Sequence, residues 1–208
     1  TLLERAGRIH KQQPKDHNKL YALHAPEVEC IGKGKARKPY EFGVKVSVAT
    51  TVAPSRGGQF VLATKALPGN PYDGHTLSTV IPHLETIIGN QIGRIIADKG
   101  YRGHGCPAPY SMRVYVSEQK RGVTRAIKRE LKRRAAVEPV IGHLKSDHRM
   151  DRNYLIGSHG DAANAVLAAV GYNFARLLGW LRQLLCALLS LLITARSHRT
   201  PALSIYAG

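Results

Sequence analysis

The sequence predicts an α/β fold in which helices flank a mixed sheet, and three observations carry this prediction. Residues alternate in apolar character with a period of two at 42–51, and a second strand-like run follows at 59–67. Apolar residues recur at helical spacing over 74–88, and the short apolar run 91–97 is typical of a buried strand. The strands at 42–51 and 59–67 are expected to form a hairpin. Because a helix and then a strand follow this hairpin, the sheet is expected to mix antiparallel and parallel strands.

Turn residues separate these elements. The segment SRGG at 55–58 supplies the hairpin turn, and PGNPYDG at 68–74 breaks the sheet before the helix. Gly89 and Asn90 end that helix. Residues 113–116 predict one further short strand.

The basic stretch 125–150 contains three charged residues at helical spacing. Arg134, Glu138 and Lys145 stand at offsets of four and seven, so a helix would carry them on one face. A carboxylate between two cations indicates an acid that acts on a polyanion, whereas an amphipathic helix with charge pairs one turn apart accounts for the same spacing. Pro139 disfavours helical geometry at the preceding residue, so a kink or a helix restart is expected there.

The charge balance indicates an anionic partner. Lysine and arginine number 31 against 14 aspartates and glutamates, for a net charge of +17. Such a field attracts phosphates and anionic surfaces. An apolar content of 43% excludes disorder of the whole chain. The 3 cysteines are dispersed without a CxxC pair, which fits a reducing cytosol better than a disulfide framework.

Three regions are expected along the chain. Residues 1–38 form a basic linker, in which the run IGKGKARK at 31–38 is a phosphate-contacting loop or a solvated turn. Residues 39–195 form the α/β domain, and residues 196–208 form a flexible tail.

A long apolar segment covers residues 161–193. Its most apolar part, 177–193, is short for a membrane span and contains Arg182. A helix buried against the sheet is therefore preferred to a membrane anchor.

One carboxylate lies where open α/β sheets place their chemistry, and a second lies on the basic helix. Asp98 follows the buried strand and precedes a glycine turn, and Glu138 lies on the basic helix. Together they form an incomplete ligand set for Mg²⁺, which prefers oxygen ligands and completes its shell with water and substrate phosphate. Arg134 and Lys145 would then neutralise phosphate charge on either side of the metal site.

These motifs resemble bacterial insertion-sequence transposases of the DDE type, whose catalytic domain is ribonuclease-H-like. The family's helix signature, Tyr-x2-Arg-x3-Glu-x6-Lys, is matched by Arg134, Glu138 and Lys145, with Leu131 at the tyrosine position. The segment DKGYRG, which starts at Asp98, resembles the turn of the family's second aspartate. KPYEFGVKVSVATT, GNPYDGHTL and VEPVIGHLKSDHRM resemble further family segments, so the similarity covers nearly the whole chain.

The resemblance implies a ribonuclease-H-like mixed sheet that is incomplete at the N-terminus. Asp98 would be the second acid of the catalytic triad and Glu138 the third, and both would be metal ligands. The implied cofactor is Mg²⁺, for which Mn²⁺ substitutes, and the implied partner is DNA, as element ends and target. A homodimer of the full-length protein, no membrane association and a cytoplasmic, nucleoid-associated location are also implied. The expected phosphate-binding residues are Arg134, Lys145, Lys128, Lys132 and Arg133.

The first acid of the family's triad lies on an opening strand that has no counterpart in this sequence. Asp16 lies in a polar stretch, and Asp73 follows the second strand, where it fits a supporting role. The expectation is the carboxy-terminal part of a transposase that is inactive alone. One alternative is a non-catalytic basic DNA-binding protein, in which both acids are structural. Another is a membrane-associated protein anchored by 177–193.

Overall fold

The structure is a computed structural model that mixes helices and strands, which confirms the α/β class. The residues it describes are 1–32, 36–37, 39–53, 58–108 and 110–197. Within these ranges the helices are α1 (Leu2–Lys11), α2 (Asp73–Ile88), α3 (Arg125–Arg133), α4 (Val137–Ser146) and α5 (Gly157–Ser197). The strands are β1 (Glu29–Gly32), β2 (Tyr40–Gly43), β3 (Lys45–Thr50), β4 (Val61–Leu67), β5 (Ile95–Ala97) and β6 (Val114–Val116).

In this part of the chain the strands form three separate pairs, not the single mixed sheet that the sequence predicts. β1 pairs antiparallel with β2, β3 antiparallel with β4, and β5 parallel with β6. Both kinds of pairing are present, as expected. The error has a physical reason: a period-two pattern specifies which face of a strand is buried, not which strand lies beside it. A ribonuclease-H-like sheet therefore stays a prediction.

The predicted strand 42–51 is two strands in the structure. β2 ends at Gly43, whose φ of +147° is a conformation that side-chain-bearing residues rarely adopt. From there the chain changes partner, because β2 pairs with β1 whereas β3 pairs with β4. Phe42, which the period-two pattern of 42–51 places on the same side as Val46 and Val48, is 62% exposed.

Helix α2 forms one hydrophobic core with the parallel pair. Leu77 and Ile81 pack with Ala97 of β5 and with Val114 and Val116 of β6. The helix also contacts β4, so it lies against both the antiparallel β3–β4 pair and the parallel pair. It ends, as predicted, at a glycine in the left-handed conformation. A proline inside the helix does not interrupt it.

A second core lies between β4, α4 and α5. Leu144 of α4 is fully buried and packs with Val61 of β4 and with Ala168 of α5. Asn173 of α5 then binds the strand directly: its Nδ2 donates to the Val61 carbonyl at 2.8 Å, and its Oδ1 accepts from the Val61 amide at 2.9 Å. The Tyr172 hydroxyl donates to the backbone carbonyl of Gln59 in the chain leading into β4, at 3.0 Å. These contacts fix the first half of α5 on the sheet.

The second half of α5 has no such cover, and the prediction that it is buried on the sheet is wrong. Every residue from 177 to 196 is exposed to solvent. The reason is length: 41 residues of helix extend roughly 60 Å, far beyond the short strand that the first half covers. By length and composition it is the one helix among the described residues that could cross a membrane, and its most apolar window is 0% buried.

The region expected to be a linker, 1–38, contains regular structure. Thr1 caps α1 through a reciprocal pair of hydrogen bonds with Glu4, and Leu20 is buried. β1 lies before the expected domain boundary at residue 38, whereas its partner β2 lies after it.

Parts of three predicted segments lie outside the described residues. These are 33–35 and 38 of the basic loop, 55–57 of the hairpin turn, and 198–208 of the tail.

Candidate active site

Asp98 lies at the carboxyl end of β5, where the sequence places it. The strand ends at Ala97, and Asp98 opens a single 3-10 turn, Lys99–Tyr101, by accepting the Lys99 amide on Oδ1 at 2.7 Å. Ser117, just after the parallel strand β6, donates its amide to the Ala97 carbonyl at 3.0 Å and so extends the pairing. The Asp98 side chain remains 59% exposed. A strand end in a parallel pair thus presents this carboxylate to solvent.

The basic helix is interrupted next to Pro139, as predicted. α3 ends at Arg133, a 3-10 turn covers Arg134–Ala136, and α4 begins at Val137. Pro139 is the third residue of α4, a position whose amide has no partner within a helix. Glu138 therefore lies in the first turn of α4, where the helix dipole favours a negative charge.

Arg134, in the joint between the two helices, contacts both predicted acids. Its Nη1 lies 3.5 Å from Asp98 Oδ1, and its Nη2 donates to Glu138 Oε1 at 3.0 Å. Since both contacts end on one planar guanidinium, the two carboxylate oxygens lie within roughly 9 Å of each other. The Arg134 side chain is 22% exposed, whereas that of Glu138 is 64% exposed. A positive charge is thus held between two carboxylates that both face solvent.

Lys145 makes a different contact. Its Nζ lies 3.1 Å from Glu41 Oε2 of β2, and the structure does not bring it to the two acids. Two helical turns separate it from Glu138, a rise of roughly 10 Å along α4. Arg134 and Lys145 both match the helix signature, but they belong to separate charge pairs. Arg134 pairs with Asp98 and Glu138, whereas Lys145 pairs with Glu41.

Glu118 holds the turn that carries Asp98, a role that was not predicted from the sequence. Its Oε2 lies 3.0 Å from Lys99 Nζ and accepts from Arg102 Nη2 at 3.1 Å, so one carboxylate binds two residues of the turn. The hydrogen bond from Lys99 and the charge of that ammonium group lower the pKa of Glu118. A signal was present in the sequence: Glu118 is the second residue after the predicted strand 113–116, and the ends of parallel strands meet at one edge.

Asp73 lies against the same turn. It pairs with Lys45 at 3.0 Å, and a Cβ atom on Gly100 would lie 2.8 Å from its Oδ2, so only glycine fits there without a shift. Burial raises the pKa of the Tyr101 hydroxyl, and the Asp73 charge raises it further. This position fits the supporting role expected for Asp73. The residues that the structure describes contain no group of three His, Cys, Asp or Glu able to hold a metal ion.

Helix α3 presents cations beside this site. Ile127 is buried and Leu131 is half-buried, which turns the opposite face outward. Lys128 and Lys132, one turn apart, are exposed, and neither forms an ion pair with another described residue. Arg133 is exposed as well, and its Nε donates to the Val52 carbonyl at 2.9 Å. Two of the three predicted phosphate-binding side chains on α3 are thus free to meet an anion.

Asp98 at a strand end and Glu138 on a helix thus contact the same arginine, Arg134, beside an exposed basic helix. Residues 107–178 match the family model of the transposase DDE domain, which confirms the predicted resemblance to DDE transposases. The matched segment contains β6, α3, α4, Arg134, Glu138 and the packed half of α5; Asp98 precedes it. Comparisons with curated proteins and with solved structures find no match.

Proposed function

We propose that the protein is a DNA transposase of the DDE type, whose family catalyses cleavage and strand transfer of an insertion sequence. The observation that carries this proposal is the shared contact of Asp98 and Glu138 with the Arg134 guanidinium. The family match supplies the reaction class, and this contact supplies a pair of carboxylates at one place. DNA, as element ends and target, is the proposed substrate.

Asp98 and Glu138 are the proposed metal ligands. Carboxylate oxygens are the ligands that Mg²⁺ and Mn²⁺ prefer, and the contact of one guanidinium with both acids supports a site for positive charge between them. When bound, such ions activate an attacking water or hydroxyl and stabilise the leaving oxygen of a phosphodiester. Arg134 can leave this position toward a phosphate, because the Asp98 contact is long and both acids are solvent-exposed.

Residues around the pair have separate proposed roles. Glu118 positions the Asp98 turn through Lys99 and Arg102. Lys128, Lys132 and Arg133 bind the DNA backbone from the exposed face of α3, and Lys145 does so after releasing Glu41.

The proposed architecture keeps 39–195 as a ribonuclease-H-like catalytic domain, preceded by a basic segment at 1–38 and followed by a flexible tail at 196–208. The proposed protein acts on DNA in the cytoplasm, at the nucleoid, without a membrane, and the full-length form is a homodimer.

The pair does not suffice for catalysis in this proposal. Two-metal chemistry needs carboxylates that bridge and separately hold two ions, and Asp98 with Glu138 supplies two groups where the family uses three. We therefore expect the purified chain to leave supercoiled DNA intact with either Mg²⁺ or Mn²⁺. Nicking that depends on the metal and disappears in an Asp98→Asn, Glu138→Gln variant would contradict this expectation. Asp73 would then be the first residue to test as a third acid.

Manganese binding tests the proposal directly. Paramagnetic resonance of free Mn²⁺, titrated with the chain and a short duplex, should show a site that weakens at least tenfold in Asp98→Asn and in Glu138→Gln. The matched control is Asp151→Asn, which removes an exposed acid far along the chain. Equal binding in all four proteins would favour the alternative, a non-catalytic DNA-binding protein in which the two acids only neutralise Arg134.

A further inference from the structure

The exposed half of α5 carries an apolar stripe with a regular period. Its members are spaced alternately three and four residues apart, and we call them the leucine seam: Phe174, Leu177, Leu181, Leu184, Leu188, Leu191 and Ala195. Its large side chains are between 39% and 67% exposed. Leu178, Leu185 and Leu192 flank the seam on one side at intervals of seven. A mean period of 3.5 residues is that of helices which wind around one another.

We propose that the leucine seam binds the same seam of a second copy of this chain, so that two α5 helices form a coiled coil. The seam spans three heptads, about 32 Å of helix. With its flanking leucines it presents on the order of 600 Å² of apolar surface, close to the roughly 800 Å² per partner that a stable protein interface buries. A monomer rarely leaves a continuous apolar surface of that size in water.

The charges of the helix agree with this partner. Arg182 and Arg196 fall on the far side of the helix from the seam, so pairing two copies does not bring like charges together. Arg176 is also off the seam and lies over the Tyr172 ring, 5.1 Å from its centroid, where it is held by the packed half of the helix. Gln183 and Ser190 complete this polar side.

A lipid bilayer fits the same helix less well. Its apolar run is interrupted near the middle by Arg182 and Gln183, and a charge at the centre of a bilayer is costly. Leu189 and Ile193 make the last turns apolar on the far side as well. This surface suits contact of the helix end with a phospholipid vesicle.

The experiment measures the mass of the purified chain in solution by sedimentation equilibrium. The wild type should weigh twice the monomer, and a Leu184→Glu, Leu188→Glu variant should weigh half as much as the wild type. The matched control, Gln183→Glu with Ser190→Glu, adds the same two acids to the polar side and should stay dimeric. Helical content by circular dichroism and Mn²⁺ binding should be unchanged in both variants, so a loss of mass is not a loss of fold.

A cysteine cross-link checks the contact itself. Leu184 is at the middle of the seam, so a cysteine there lies beside its counterpart in a parallel, in-register pair of helices. Leu184→Cys in a Cys186→Ser background should form a cross-linked dimer under oxidised glutathione, whereas native Cys186, off the seam, should not. A monomeric wild type, or a dimer that Leu184→Glu, Leu188→Glu does not weaken, would overturn the proposal. A monomer that floats with phospholipid vesicles would assign the surface to a membrane instead. Neither result bears on Asp98 and Glu138.

Discussion

Removal of two lysines from α3 should flatten the salt dependence of DNA binding. Lys128 and Lys132 are exposed, lie one turn apart and form no ion pair within the described residues, so each is free to replace a counterion on a phosphate. Each phosphate contact contributes about 0.9 to the slope of log K against log salt, so Lys128→Ala with Lys132→Ala should lower the slope by about 1.8. Between 50 and 200 mM salt, the wild type should then lose about 12-fold more affinity than the variant.

The assay is fluorescence anisotropy of a labelled duplex titrated with protein at several potassium chloride concentrations. The control variant, Lys11→Ala with Lys15→Ala, removes two exposed lysines from another part of the chain and lowers the net charge of +17 by the same amount. A third substitution, Arg133→Ala, should lower the slope by about a further 0.9 if the guanidinium also contacts a phosphate.

Two results would refute the reasoning. An unchanged slope in Lys128→Ala, Lys132→Ala would show that DNA contacts another surface. An equal decrease in the Lys11→Ala, Lys15→Ala control would show that the slope follows total charge and not the contacts of α3.

Further predictions concern stability. Because the pKa of Glu118 is lowered in the folded chain, the Glu118 carboxylate stabilises the fold above the ordinary glutamate pKa. This stabilisation is lost as the pH falls through the lowered pKa. Glu118→Gln should therefore reduce the acid sensitivity of helical content measured from pH 6 to pH 2; an identical pH profile would contradict this. Asn173→Ala leaves the amide and carbonyl of Val61 without partners and should cost on the order of 2 kcal/mol in urea unfolding, whereas a cost near zero would show that water replaces the side chain. Leu144→Ala, at a fully buried site, should cost about 2–5 kcal/mol in the same assay, and a smaller loss would mean that the core between α4 and α5 closes around the cavity.

Local signals in the sequence were enough for the elements that carry the candidate site. The turn after Asp98 and the restart beside Pro139 follow from glycine and proline chemistry within a few residues, so neither depends on distant contacts. The contact of Asp98 with Arg134 joins residues 36 positions apart; the position of Asp98 after a strand and of Glu138 on the basic helix already predicted one site flanked by Arg134, and the family resemblance supported it. Glu118 was missed because it reaches Lys99 and Arg102, which lie in the turn after β5, only when β6 pairs with β5.

Strand partners and the cover of α5 could not be predicted, for related reasons. The alternation at 42–51 specifies faces, whereas the change of partner after Gly43 depends on where β1 and β4 lie. The sequence pattern of an apolar helix is the same whether the helix packs against a sheet, a bilayer or another helix. The second half of α5 is exposed to solvent because the helix extends beyond the strand on which its first half packs.

The contact between Asn173 and Val61 also bears on aggregation. The Thr51 amide, at the end of β3, donates to the Phe60 carbonyl, so the amide and carbonyl of Val61, the next residue, point to the opposite, open edge of β4. An open edge is a template on which a strand of another molecule can add. The side-chain amide of Asn173 already binds the amide and carbonyl of Val61, the two groups with which such a strand would pair. At this edge, a chain from another molecule would have to displace a helix before it could extend the sheet.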